Sequence, residues 1–542
     1  MSRIRRRWSV VVGATAVVSI VTAVPASAAP PPTATGPSSA TPPYVLPVAP
    51  GVTITSLLTV DDARSASNGY EMVGIPDGLG AYHTSDTVTV LMNHELNANE
   101  GIVRRHGQQG AFVSELQVNR QTNEVVAGQD FIDPGVQYWN YLTSSYAATP
   151  NAAGTQADGD VFPGYDARFG RFCSSDLTDP GRLFNLATRN GYFGQLYFGN
   201  EEVGDEGRNF AVTTDGQATQ LPRLGLFSWE NTLAAPNRSD TTLVMGQEDA
   251  GSGQLWAYVG TKQRAGGPVD QAGLTNGRNV VADLVNEAIS TDAQFRTSVG
   301  KGTPTRFDLS EVDWDQSGAD QNAEVLTKGL TLNRIEDGAF DPNHPNDFYF
   351  VTTAGGNGPG GGLWRLRWDN IENPAQGGTL TLLLDGSEGL VSPDNLDIDR
   401  KGNILIQEDP GNNPHLARIM AYRIADGALA TVARFNPALF TSGQPGFITQ
   451  DEESSGILDV TGFYNSFSTP AIPGFPGFPG IPGFPGVSIP SIPGVPGIGT
   501  PNGTFLFDAQ VHTPTVHNIA EYVQRGQLMR LQVDNWNAVY GG

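Results

Sequence analysis

Seven short acidic clusters recur along the chain: Asn93-His94-Glu95, Asn200-Glu201-Glu202, Trp229-Glu230, Gln247-Glu248-Asp249, Glu336-Asp337, Pro393-Asp394-Asn395 and Gln407-Glu408-Asp409. Carboxylate oxygens are the ligands that a hard cation such as calcium takes, and an arginine beside them, as in Arg334-Ile335-Glu336-Asp337, can face two oxygens of a phosphate. One such pair is an ordinary solvated turn. Seven, each at the end of an expected strand, predict a site wherever those strand ends converge. Glu95, Glu201, Glu202, Glu230, Glu248, Asp249, Glu336, Asp337 and Asp394 are therefore candidate metal ligands, and Arg334 is a candidate anion-binding group. Other chemistries lack their signatures: His94-Glu95 has no second histidine at helical spacing, and neither a Gly-x-Ser-x-Gly elbow nor a phosphate-binding Walker loop is present. Seven histidines and one cysteine cannot build several zinc sites. Asp313-Trp314-Asp315-Gln316-Ser317-Gly318 with Glu324 has the spacing of a calcium loop, although Asp320 stands where such loops place an apolar residue.

The elements that must carry these clusters are short strands separated by Gly, Asn and Asp turns, among them 87–92, 195–199, 224–229, 242–246, 347–352, 403–407 and 504–509. The clearest helix is expected at 279–289. Many short strands with acidic loops predict an all-β fold, with a β-propeller first and a pair of β-sandwiches second. Comparable hairpins at Phe340-Asp341-Pro342 and at Asp399-Arg400-Lys401-Gly402 support a repeat one blade long. Residues 466–502 are a Pro/Gly-rich low-complexity stretch with the collagen period over a short run, read as an insertion between two strands of one hairpin.

The chain of 542 residues is 39% hydrophobic, which suits a globular fold, and carries a formal charge of -24. Such a field repels nucleic acid and anionic membrane surfaces as partners. Arg3, Arg5, Arg6 and Arg7 precede an apolar run that ends at Ala26-Ser27-Ala28, so residues 1–28 read as a cleaved export signal, resembling the twin-arginine type. Residues 29–50 read as a Pro/Ala/Thr-rich tether, and 51–542 as the folded domain. The expected location is secreted or at the cell surface, with no stable membrane insertion. Cys173 is the single cysteine, so no intramolecular disulfide can form, and the thiol is either buried and inert or bound to something; composition favours the first.

The same residues resemble the PhoX-type alkaline phosphatases, in order from about Gly69 to the C-terminal region. Leu91-Met92-Asn93-His94-Glu95 is similar to that family's Val-Asn-His-Glu segment, Arg334-Ile335-Glu336-Asp337 to its Arg-Pro-Glu-Asp, and Pro393-Asp394-Asn395-Leu396 matches outright. Met245-Gly246-Gln247-Glu248-Asp249 and Phe507-Asp508-Ala509-Gln510-Val511-His512 resemble two further segments. Asn200 stands where the family has a second cysteine, and Trp229 where it has a histidine. The resemblance implies a six-bladed propeller with long loop insertions, secreted, hydrolysing small phosphate esters at an iron and calcium cluster. It implies that Cys173, Glu230 and Glu336 hold iron, that Glu95, Glu202, Glu336, Asp337 and Asp394 serve calcium or bridge the ions, and that Arg334 and Glu336 act on the substrate. Two other functions fit the residues: a calcium-dependent propeller esterase or lactonase, and a non-catalytic calcium-stabilised binding propeller.

Overall fold

The computed structural model describes residues 33–84, 86–353, 361–465 and 502–541. The expected export signal and all but the last residue of the Pro/Gly insertion lie outside them. The described chain is mostly β, in a propeller-like arrangement of antiparallel sheets. The first sheet runs Pro76–His83, Thr87–His94, Phe112–Asn119, Val125–Asp130, and the second Leu196–Asn200, Asn209–Thr213, Ala218–Gln220. A nine-stranded sheet begins at Trp229–Ala234 and passes through Thr241–Glu248, Leu255–Thr261, Arg278–Leu284 and Thr305–Val312. There the 305–307 edge pairs with 378–380, and the sheet continues back through Gly378–Leu384, Gly362–Trp368 and Asp347–Thr352 to Ile335–Phe340. The next sheet holds Pro393–Ile398, Asn403–Glu408, Arg418–Arg423 and Ala428–Phe435.

In the last sheet Glu452–Asp459, Gly503–Val511 and Arg525–Val533 are completed by Val52–Thr59, so both ends of the domain share one sheet. The first strands of the sheets touch in succession: Leu196–Asn200 on Trp229–Ala234, then Ile335–Phe340, Pro393–Ile398, Glu452–Asp459 and Pro76–His83. The inner strands are covered on both faces, so Thr87–His94 and Asp347–Thr352 are buried almost throughout rather than at alternate residues. Apolar cores accordingly lie between sheets, as where Leu405, Ile419 and Phe435 meet Phe505, Phe507 and Leu531.

Three expectations change. Residues 279–289 do not form a helix: Arg278–Leu284 is a strand paired on both sides, as its Val280-Val281 pair favours, since β-branched side chains pack well on a pleated surface. The strand expected at 224–229 is instead a short turn at Pro222–Leu224, with the strand starting at Trp229. The described part of the expected tether is not free chain: Val45–Pro47 adds a strand beside Ala428–Phe435, Tyr44 and Val45 are buried, and Thr33–Thr35 lies along Val52–Thr59.

Candidate metal centre

Four of the first strands are built alike. Each has a bulge at which two residues oppose one on the neighbouring strand: Asp77-Gly78 between Pro76 and Leu79, Glu230-Asn231 between Trp229 and Thr232, Glu336-Asp337 between Ile335 and Gly338, and Asp394-Asn395 between Pro393 and Leu396. A bulge re-aims the side chains it carries. Here the first bulge residue is always a carboxylate, and all four carboxylates enter one centre. Glu230, Glu336-Asp337 and Asp394 thus lie inside strands, whereas Glu95, Glu202, Glu248 and Glu408 stand at or just past strand ends, as expected.

Three overlapping sets, each with ligand atoms within 4.8 Å of one another, form this centre: Asp77, Glu95 and Cys173; Cys173, Glu202 and Glu230; Glu230, Glu336 and Asp394. Cys173 and Glu230 are shared, so the sets form one continuous row of six carboxylates and a thiol.

The segment carrying Cys173 is fixed by its backbone. Asn93 Nδ2 donates to the Cys173 carbonyl (2.6 Å), Asn200 Nδ2 donates to that of Ser174 (2.8 Å), and the segment lies so close to the first bulge that a Cβ on Gly78 would fall 2.3 Å from the Ser175 nitrogen. Ser174 Oγ donates to Glu230 Oε1 (2.6 Å) and accepts from Asn395 Nδ2 (2.5 Å), which ties two bulges together. Glu95 follows the strand Thr87–His94; its nitrogen donates to the Ile75 carbonyl, and Gln510 Nε2 donates to both Glu95 Oε2 (2.8 Å) and Asp77 Oδ2 (3.1 Å).

Burial dominates the electrostatics. It raises Asp77, Glu202, Glu336 and Asp394 well above the carboxylate range, with neighbouring carboxylates adding to the shift at each. Glu230 is pushed up to about 8 by burial, against the opposing bonds from the Cys173 and Ser174 side chains, and the Cys173 thiol is raised by burial and then by Asp77. So many acids cannot all ionise in one buried place without compensating positive charge. Asp77 Oδ1 is buried without a hydrogen-bond partner, and Glu336 Oε1 has only the ion pair to Arg334. Acceptors in excess of donors, all oxygen apart from one sulfur, fit multivalent cations: carboxylate oxygens suit calcium, and a thiolate suits a softer ion such as iron.

Two arginines lie over the row. The Arg171 guanidinium pairs with Glu95 and Glu202, while Arg334 Nε and Nη2 reach Asp249 (2.7 and 2.8 Å) and Nη2 reaches Glu336 (3.2 Å).

Of the residues singled out from sequence, the centre gathers Glu95, Cys173, Glu202, Glu230, Glu336 and Asp394, with Asp249 joined through Arg334. Three others are turned to structural bonds. Glu201 is held by Arg208 (2.6 and 2.7 Å) and by the Gly170 nitrogen; Glu248 accepts from Trp256 Nε1 (2.8 Å) and the Gln254 nitrogen; Asp337 accepts from Asn231 Nδ2, Gly338 N and Leu396 N. His94 is buried, stacked on Phe112 and bonded to Gly74 O and Ser114 Oγ, and burial lowers it to about 3. Trp229 is stacked on Phe227 with ring centroids 3.8 Å apart, and Asn200 is bonded to Ser174, Asn209 and Thr232. In the expected calcium loop, Glu324 lies on the helix Gly318–Val325 and is engaged by Lys328 and Gln316, while Ser317 caps that helix.

Sequence reasoning did not pick out Asp77 as a ligand or Arg171 beyond its place before Cys173. The signal for the first was present: Pro76-Asp77-Gly78-Leu79 repeats the pattern of Pro393-Asp394-Asn395-Leu396.

The fold and centre define a propeller-like β protein with a buried acidic row. Its structure is similar to that of Pseudomonas fluorescens PhoX in complex with vanadate, a transition state analogue, with a TM-score of 0.56 at 13% identity over 93% of this chain and 97% of that one. A thermostable family-43 glycoside hydrolase overlaps 68% of the chain at 12% identity, but with a TM-score of 0.31. No family model matches the chain, and no curated protein matches it. Among the described residues, no helix is long and apolar enough to cross a membrane.

Proposed function

We propose that the chain is an exported, metal-dependent phosphatase that hydrolyses small phosphate esters, on a six-bladed propeller in which the nine-stranded sheet counts as two blades joined along one edge. The observation that carries this reading is the convergence of four bulge carboxylates with Glu95, Glu202 and Cys173 into one buried row. The PhoX-like fold supports it.

Cys173, Glu230 and Glu336 are the proposed holders of iron, and Glu95, Glu202, Asp77 and Asp394 of calcium; Asp337, with both oxygens taken by donors, is read as a support of its bulge. Cations held there would polarise phosphoryl oxygens and lower the pKa of a bound water. Arg334 binds the phosphate through its Nη1, which has no bond among the described residues, while Asp249 holds its Nε and Nη2 and Nη2 also reaches Glu336; Ser174 and Gln510 hold Glu230, Glu95 and Asp77 in place.

The test is elemental analysis of protein purified without chelators, run beside a panel of phosphate and carboxylate esters. Iron with calcium and phosphatase activity is the expected result. Calcium alone with carboxylesterase activity, or metal without any hydrolysis, overturns the reading.

A further inference from the structure

We propose that Arg171 is a second phosphate-binding arm opposite Arg334, and that the pair selects phosphomonoester dianions over diesters. The inference rests on the phosphatase reading.

The two arginines are placed alike. Arg171 stands two residues before Cys173 with φ 34°, and Arg334 two residues before Glu336 with φ 53°. Both adopt the left-handed region, which non-glycine residues seldom enter and which recurs where function requires it. Each guanidinium joins two acidic groups, Glu95 with Glu202 for Arg171, and Asp249 with Glu336 for Arg334. Glu202 and Glu336 each share a ligand set with Glu230, so the two guanidinium groups are anchored on the two carboxylates that have Glu230 as their common neighbour.

Exposure separates this arrangement from an ion pair sealed in the core. Arg208 and Glu201, which bond within the core, have side chains only 4% and 3% exposed. The Arg171 and Arg334 side chains are 40% and 37% exposed, whereas Glu202 and Glu336 beneath them are at 14% and 1%. The positive groups therefore face outward over a buried negative row. Nη1 of each makes no bond among the described residues, which leaves donors on both for oxygens arriving from outside.

A monoester carries close to two negative charges above about pH 6 and has three terminal oxygens, enough for two guanidinium groups as well as the row. A diester carries one charge and two such oxygens, and its second substituent must occupy the space of one arginine.

The experiment uses the metal-loaded protein and three variants, R171G, R171K and R334G. Glycine accepts the left-handed backbone, so R171G removes the guanidinium without displacing Cys173. Binding of inorganic phosphate is measured by calorimetry, and kcat/KM for an aryl phosphate monoester and the matching diester. R171G and R334G should each weaken phosphate binding roughly ten- to a hundredfold at unchanged metal content, with the monoester-to-diester ratio falling alongside. R171K, which keeps the charge without the planar fork, should lose part of that affinity. Wild-type phosphate affinity in R171K, together with either wild-type affinity or lost metal in R171G, makes Arg171 a counter-ion only and overturns the proposal while leaving Arg334 its role. Metal-loaded wild-type protein that binds no phosphate overturns the phosphatase reading and this proposal together.

Discussion

Glu230→Gln should change stability in opposite directions with and without bound cations. Glu230 is 1% exposed, belongs to two of the three ligand sets, and accepts a hydrogen bond from Ser174 Oγ that a glutamine carbonyl can equally accept. In the metal-free protein its carboxyl titrates at about 8 against an ordinary 4.5, with burial as the leading cause. The folded state thus keeps a proton that the unfolded chain releases between those two values, so metal-free stability falls as pH rises through that window. At 1.36 kcal/mol per pH unit, the ceiling on this penalty is roughly 5 kcal/mol, fully felt above pH 8. Glutamine carries no such charge, so under chelation at pH 8.5 the variant should be the more stable protein, and at pH 5 the two should nearly coincide.

With cations bound the order reverses. The variant loses a ligand shared by two sets, holds less metal, and loses the stabilisation that an ion bound only to the folded state supplies by mass action. In the loaded wild type, stability should fall with acid instead, because protons compete for the ligands. Denaturant unfolding at pH 5, 7 and 8.5, with chelator and with iron plus calcium, measures each term. A variant less stable than wild type under chelation at pH 8.5, or one with unchanged metal content and unchanged unfolding when loaded, would refute the description of the row as a cation site.

Cys173→Ser should remove iron and its thiolate absorption and cut hydrolysis by orders of magnitude, with calcium retained; elemental analysis and visible spectra read this, and the polar substitution itself costs only ~1–3 kcal/mol. Glu201→Gln should cost about 3–5 kcal/mol in chemical denaturation, because Arg208 is left buried without its counter-charge, while metal content stays at the wild-type level. Replacing 466–501 by a short turn should leave unfolding and ester hydrolysis close to wild type, since Glu452–Asp459 already pairs with Gly503–Val511 as far as Asp459 opposite Phe505; a large loss of stability on deletion would show that the insertion contributes to the fold.

The strands legible in the sequence are those whose burial comes from apolar side chains, such as Thr87–His94, Asp347–Thr352 and Asn403–Glu408. Those missed include the first strands Pro76–His83, Trp229–Ala234 and Pro393–Ile398, into which Asp, Asn, Gly and Pro crowd. These residues are buried for a different reason: the first strands pack on one another in succession, and there carboxylates, amides and small residues replace an apolar face. The carboxylate types of the centre were therefore visible while the strands holding them were not. Which acid of each pair turns inward was not visible either. Glu336 enters the row and Asp337 supports its bulge, and the choice is made by the backbone, which composition does not encode.

The backbone makes that choice at a recurrent cost. Ile75, Arg171, Arg334 and Ser392 all have positive φ, and each stands two residues before a member of the row: Asp77, Cys173, Glu336 and Asp394. For β-branched Ile75 this conformation costs on the order of 1–3 kcal/mol, offset by packing with Val73, Leu96, Phe112 and Val523. Glu230 lacks such a residue before it and is instead fixed through Ser174, on the segment that also carries Cys173. On the three first strands that carry Asp77, Glu336 and Asp394, aiming the centre needs a strained residue, a carboxylate two places on and a small or polar residue after it, and little else. Since those requirements touch so few positions, the rest of each sheet is free to change as long as it stays apolar, which accords with likeness of fold over 93% of the chain at 13% identity.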